Sequence, residues 1–203
     1  MTVATSLPPT STFAPPAGQL KRFTVDEYHK MIQAGVFDED ARFELLEGWI
    51  VSKVTKNPLH DMTVDLVHDL LRDRVSGWRV RSQSAITTSD SEPEPDVAVA
   101  QGPATRYKIN HPGPTDLALV VEVSDSSLGR DRNEKLIVYA RAAIPVYWIV
   151  NLPDQVVEVY TDPSGPAARP TYRKTDTFHP KDAVPLIVAG QTLAPIPVRD
   201  ILP

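Results

Sequence analysis

The apolar and polar positions change their spacing several times along this chain, and each change marks an element. Thr24 with Glu27 three residues on forms a capping box, so a helix is predicted from there to about Ala34, stopped by Gly35. Ala41–Leu46 and Trp49–Val54 flank Glu47-Gly48, the pattern of a two-residue hairpin. After Pro58, Met62, Leu66, Val67, Leu70 and Leu71 recur at helical spacing, which predicts a helix to about Val75 with one face buried. From Trp78 the period shortens. Strands are predicted at Arg79–Ile86, Asp96–Ala100, Leu117–Ser124, Val146–Leu152, Val156–Thr161 and Thr171–Phe178. The unbroken apolar run Leu117–Val121 is expected of a central strand covered on both faces. A further helix, about Arg130–Ala143, lies between two strands and ends before Ile144-Pro145, because the residue before proline avoids helical geometry. Pro163–Pro170 reads as a loop and Pro197–Leu202 as one helical turn. The expected architecture is α/β: a mixed sheet flanked by helices, with an N-terminal helix and hairpin. It forms a single domain over 21–203, preceded by a flexible Pro/Ser/Thr tail over 1–20.

Composition narrows the function. The chain has 203 residues, with 21 basic and 26 acidic side chains giving −5, and 41% hydrophobic residues. That suffices for one core and excludes a wholly disordered chain. The acidic balance argues against coating nucleic acid by bulk charge and leaves room for a local basic groove. With no cysteine, disulfides, thiolate nucleophiles and Cys-bound metal sites are excluded. Residues 1–20 have no basic n-region before an apolar core, and residues 183–198 are broken by Pro185, Gly190, Pro195 and Pro197. Neither is a signal peptide or a membrane span, so a cytoplasmic location is the expectation.

Three segments carry candidate chemistry: Pro93-Glu94-Pro95-Asp96, Leu119–Ser124 with Glu122 inside Val-Val-Glu-Val, and Asp131–Lys135. A carboxylate in so apolar a strand is costly unless a cation or hydrogen bonds compensate it. Two carboxylates on neighbouring strands, with hard oxygen ligands and no paired His or Cys, suit Mg²⁺ or Mn²⁺. Lys135 lies one turn from both Asp131 and Tyr139 on a common helix face. Plainer readings stand beside these. Asp96 alone is an ordinary strand start, and Glu122 with Lys135 is a structural ion pair. Asp131 with Lys135 is a surface pair worth ~0.3–0.5 kcal/mol. His60 flanks a helix start, Tyr147 and Trp148 are core, and Arg72, Arg74, Arg79 and Arg81 form a solvated basic face. No Gly-X-Ser-X-Gly or phosphate-cradling glycine loop is present.

Taken in order, Pro95-Asp96, Val121-Glu122-Val123-Ser124, Asp131, Lys135, Tyr139-Ala140-Arg141 and Tyr147-Trp148-Ile149-Val150 resemble the Uma-type restriction-endonuclease-like family of the PD-(D/E)XK nuclease superfamily. Phe43–Gly48 and Pro58-Leu59-His60 fit the same pattern, and the resemblance spans about Phe23 to Tyr160. It implies a restriction-endonuclease-like fold and a metal-dependent endonuclease acting on DNA, with Asp96 and Glu122 as catalytic metal ligands. The backbone carbonyl of Val123 and the side chain of Glu44 are further implied ligands for Mg²⁺ or Mn²⁺. The superfamily places its lysine two residues after the glutamate, where this chain has Ser124. The Uma-type pattern supplies it from the next helix, as Lys135, supported by Tyr139, Asp131 and His60. A homodimer is expected by analogy with nucleases that cut both strands. The alternative is an inactive relative that binds nucleic acid or protein.

Overall fold

The computed structural model describes residues 20–38, 42–53 and 56–203. The predicted tail, apart from Leu20, lies outside them, as do Ala41 and Val54 at the outer ends of the hairpin strands.

Helix α1 (Val25–Gln33) begins at the expected capping box: the Thr24 hydroxyl accepts from the Glu27 N–H, and the Glu27 carboxylate accepts from the Thr24 N–H. Strands β1 (Phe43–Leu46) and β2 (Trp49–Ser52) pair antiparallel with Leu46 opposite Trp49. Glu47 (φ 49°) and Gly48 (φ 80°) make the turn, both left-handed as a two-residue hairpin requires. A Cβ at position 48 would sit 2.8 Å from the Arg22 Cβ, so only glycine fits.

Helix α2 (Pro58–Arg72) carries Pro58 in its first turn and is capped by Asn57, whose Oδ1 accepts from the His60 N–H at 2.9 Å. Its buried ridge is His60, Thr63, Val64, Val67 and Leu71. Met62 and Leu66, expected on that ridge, stay exposed; the ridge turns on the 60/64/67/71 spacing, which at about 3.6 residues per turn leaves them on the side facing away from it. The helix ends at Arg72, not near Val75, although Val75 is buried just beyond it.

Six strands form one sheet in the order β3 (Trp78–Ser82), β4 (Val97–Gln101), β5 (Leu117–Ser124), β6 (Val146–Asn151), β7 (Val156–Pro163) and β8 (Tyr172–Phe178). All neighbours are antiparallel except β5 and β6. The architecture is thus a mixed sheet flanked by a few helices. β3 stops at Ser82, short of the predicted Ile86, because Gln83 turns left-handed (φ 48°) and its N–H donates to the Asp96 carbonyl at 3.0 Å. That bond fixes the backbone just before β4.

The parallel pair is joined by α3, one continuous helix in three pieces: Leu128–Arg130, a π turn at Asp131–Lys135, and Leu136–Arg141. It starts earlier than expected and stops before Ala143, which is left-handed (φ 56°). Short pairings at β9 (Ala183–Val184) with β12 (Ile196–Pro197) and β10 (Ile187–Val188) with β11 (Gln191–Thr192) lead to the last helical turn, α4 (Val198–Ile201).

The sheet has a core on each face. On one side α2 and the C-terminal segment pack on Val97, Leu119, Val121 and Trp148. On the other, α3 covers Ala98, Val120, Tyr147 and Ile149. Alternation along β5 therefore turns Glu122 toward α3. Among the described residues no helix is long and apolar enough to cross a membrane.

Candidate active site

Each acidic side chain reaches the site from a different element. Asp96 stands at the entrance of β4 and is buried. Its Oδ2 accepts from the Val123 N–H at 2.9 Å and lies 3.1 Å from His60 Nε2; Oδ1 lies 3.2 Å from Lys56 Nζ. Glu122, on β5, is 3% exposed. Its Oε1 accepts from Lys135 Nζ at 2.9 Å and from the Tyr139 hydroxyl at 2.6 Å. Among the described residues Oε2 takes no hydrogen bond. Glu44, on β1, accepts from the Glu94 N–H at 3.2 Å and lies 3.7 Å from Lys135.

Asp131, Lys135 and Tyr139 all face inward, as the spacing predicted, but the helix is not regular there. In a uniform α-helix Tyr139 would be turned about 80° from Asp131; the wider π turn takes back part of that drift. Asp131 anchors the turn: its carboxylate accepts from Ser124 and Ser127, each at 2.6 Å, and its carbonyl accepts from the Tyr147 hydroxyl at 3.1 Å. Asp131 and Lys135 are not the surface pair of the plainer reading: both are buried, and Lys135 pairs with Glu122 and Glu44 while Asp131 takes the two serines.

Burial sets the protonation pattern. It pushes the Glu122 carboxyl up, with Lys135 opposing and the Asp96 and Asp131 charges adding to the rise. Burial alone would raise Asp96 as well; the His60 hydrogen bond and charge, with Lys135 and Lys56, outweigh it and hold Asp96 at about 2. Lys135 is disfavoured as a cation by burial, yet Glu122, Glu44, Asp131 and Asp96 more than compensate and keep it an ammonium. Tyr139 is raised well above the usual phenol by burial and by Glu122, so it stays a donor.

Asp96, Glu122, Lys135, Glu44, Asp131 and His60 line one cleft. Tyr139 stands behind Glu122. The Val123 N–H points at Asp96, and since a strand residue's N–H and C=O project to the same side, its carbonyl leaves β5 on that side too. His60 does more than flank the helix start, because its ring is buried against Asp96. The Arg72, Arg74, Arg79 and Arg81 group lies outside the cleft, and Arg81 stacks on Tyr107 at 5.5 Å. The sequence reading passed over Lys53, Lys56, Asn57 and Arg130, which also line the cleft. Two lysines in the short connection between the hairpin and a Pro-initiated helix were the available signal.

Among the described residues no three His, Cys, Asp or Glu side chains close on a single point as metal ligands do; Lys135 stands between Glu122 and Glu44. The donors are nonetheless hard oxygens, with Glu122 and Asp96 lining the same cleft, and that chemistry fits a small divalent cation.

Residues 25–195 match the Uma2 family, described as "Putative restriction endonuclease". The chain belongs to the Uma2 family. The matched span includes every candidate residue from Glu44 to Tyr139. A solved structure from Anabaena variabilis ATCC 29413, titled as a putative nuclease belonging to DUF820, superposes with a TM-score of 0.65. It is 18% identical over 88% of this chain and 97% of that one, a likeness of fold. No curated protein matches the chain.

Proposed function

We propose that this Uma2 chain is a metal-dependent endonuclease that hydrolyses DNA phosphodiester bonds. The observation that carries it is Glu122: a carboxylate buried in a central strand, satisfied on Oε1 by Lys135 and Tyr139, without a hydrogen bond to Oε2 among the described residues, and lining the same cleft as Asp96. Asp96 and Glu122 would hold Mg²⁺ or Mn²⁺, with the Val123 carbonyl and Glu44 completing the oxygen donors. When bound, such an ion lowers the pKa of a coordinated water and screens the phosphate.

The chain's own groups do the rest. Lys135, held as an ammonium, is a donor and not a base: it orients the attacking water and stabilises charge developing on the phosphoryl oxygens. Tyr139 fixes the Glu122 carboxylate by its 2.6 Å hydrogen bond. Asp131 keeps the π turn that aims Lys135, and His60 holds Asp96 ionised. The test is cleavage of plasmid and branched DNA in Mg²⁺ or Mn²⁺. Lys135→Ala and Asp96→Asn should each lower the rate by about 10²-fold or more. Wild-type rates in Lys135→Ala would remove that residue from the mechanism.

A second reading is a nuclease-fold module that binds nucleic acid or protein without cutting. It is favoured by the closed Lys135–Glu122 pair and by Ser124 at the superfamily's usual lysine position, where its hydroxyl is spent on Asp131. Calorimetry with Mn²⁺ separates the two, since a module of that kind needs no ion.

A further inference from the structure

Resting on the nuclease reading, this inference concerns Lys56. The two lysines at the acidic centre are held in different ways. Lys135 comes from a helix, is sealed, and is shared by Glu122 and Glu44. Lys56 comes from the connection between β2 and α2, one residue before the cap Asn57. Its side chain is 15% exposed, and among the described residues its one carboxylate partner is Asp96, at 3.2 Å. Its neighbours at the mouth tie this connection down: Lys53 pairs with Glu94, Asn57 donates to Asp125 at 2.7 Å, and Arg130 donates to the Ser52 carbonyl at 2.8 Å.

The described lining carries six carboxylates against four permanent cations and His60, an acidic excess even with His60 protonated. A phosphate approaching this metal-free cleft meets a repelling field. A divalent cation on Asp96 removes that excess and repels the ammonium already there. Lys135 cannot leave, being walled in by protein. Lys56 can, because its flexible stem and compact charge stand at the opening.

We propose that Lys56 is an exchangeable counter-ion: it neutralises Asp96 in the metal-free protein and moves to a backbone phosphate of bound DNA when a divalent cation takes its place. Metal and DNA binding are then coupled positively, each strengthening the other by the same factor. Lys56 competes with the ion and assists the nucleic acid, so its removal acts on the two ligands in opposite directions. A lysine that merely props up Asp96 would weaken both.

The experiment pairs Mn²⁺ calorimetry with fluorescence anisotropy of a labelled DNA duplex, in Ca²⁺ and in EDTA, on wild type, Lys56→Met and Lys56→Arg, with Lys181→Met as a remote control. Lys56→Met should bind Mn²⁺ several-fold tighter, up to about tenfold, and lose a comparable factor of duplex affinity in Ca²⁺ while matching wild type in EDTA. Lys56→Arg should keep the duplex affinity, and Lys181→Met should change nothing. Unchanged or weaker Mn²⁺ binding in Lys56→Met, or unchanged duplex affinity in Ca²⁺, overturns the exchange and leaves the nuclease reading standing. A wild-type protein that takes no Mn²⁺ at millimolar concentration removes that reading, and the exchange with it.

Discussion

Glu122 gathers its support on one oxygen, and that asymmetry can be measured. Tyr139→Phe keeps the ring, which is fully buried against Tyr147 at 5.0 Å between centroids, and removes only the hydroxyl donor to Oε1. A hydrogen bond to a charged group contributes about 1.5–3 kcal/mol, and here Lys135 remains on the same oxygen. Urea denaturation of Tyr139→Phe should therefore show a loss at the low end, about 1.5 kcal/mol, with DNA cleavage reduced alongside. Full stability would mean that the phenol adds nothing to holding the carboxylate. Glu122 was legible in the sequence because an acid inside Val-Val-Glu-Val has to be compensated by something, and Lys135 was its nearest candidate. Lys56 was not legible. Its meaning depends on where the link between hairpin and helix lands relative to β4, and no local pattern records that.

At the scale of elements, the helix that joins the parallel strands is deformed where it matters. Asp131 ties its π turn to Ser124 and Ser127, while Arg132 in the same turn grips Glu158 on β7. Glu158 is buried and also accepts from Tyr160 at 2.6 Å and Asn151 at 2.9 Å. Burial pulls its pKa up, but the Arg132, Tyr160 and Asn151 hydrogen bonds outweigh it and hold the value below the ordinary 4.5. A carboxylate depressed in the folded state stabilises fully above its unfolded pKa, and that stabilisation disappears as the pH falls through the folded one. Glu158→Gln should thus be less stable than wild type at neutral pH by about 1–2 kcal/mol. The gap should narrow steadily below about pH 4.5, as followed by urea titration at several pH values. A gap independent of pH would place the stabilisation in packing. Periodicity located this helix and its neighbouring strands to within a few residues. It could not show the π turn, since Asp131, Lys135 and Tyr139 fit a regular face nearly as well, nor the left-handed Gln83 that cuts β3 short.

For the molecule as a whole, the face that carries the candidate site depends on the opposite one. Ile196, Val198, Ile201 and Leu202 are buried with α2 against the sheet, and all lie beyond residue 195, where the family match ends. Each buried aliphatic side chain is worth about 1.5–3 kcal/mol, so losing four approaches the entire stability of a typical domain. A chain ended after residue 195 should lack a cooperative thermal transition by circular dichroism; a melting temperature near that of the full chain would contradict this. Of that layer only the last helical turn, expected at Pro197–Leu202 and found at Val198–Ile201, was legible; the short pairings before it were not. Their strands are two residues long and interrupted by Pro185, Pro195 and Pro197, too short for either helical or strand periodicity to register.

Carrying the amine on α3 has a consequence for how such proteins diverge. Position 124 on β5 is released from supplying charge and can serve as an anchor for the helix, which ties strand and helix into one unit of inheritance. Under the proposed nuclease reading, a change at Ser124, Ser127 or Asp131 would loosen the turn that aims Lys135 and lower cleavage, while Asp96, Glu122 and Lys135 themselves remained in place.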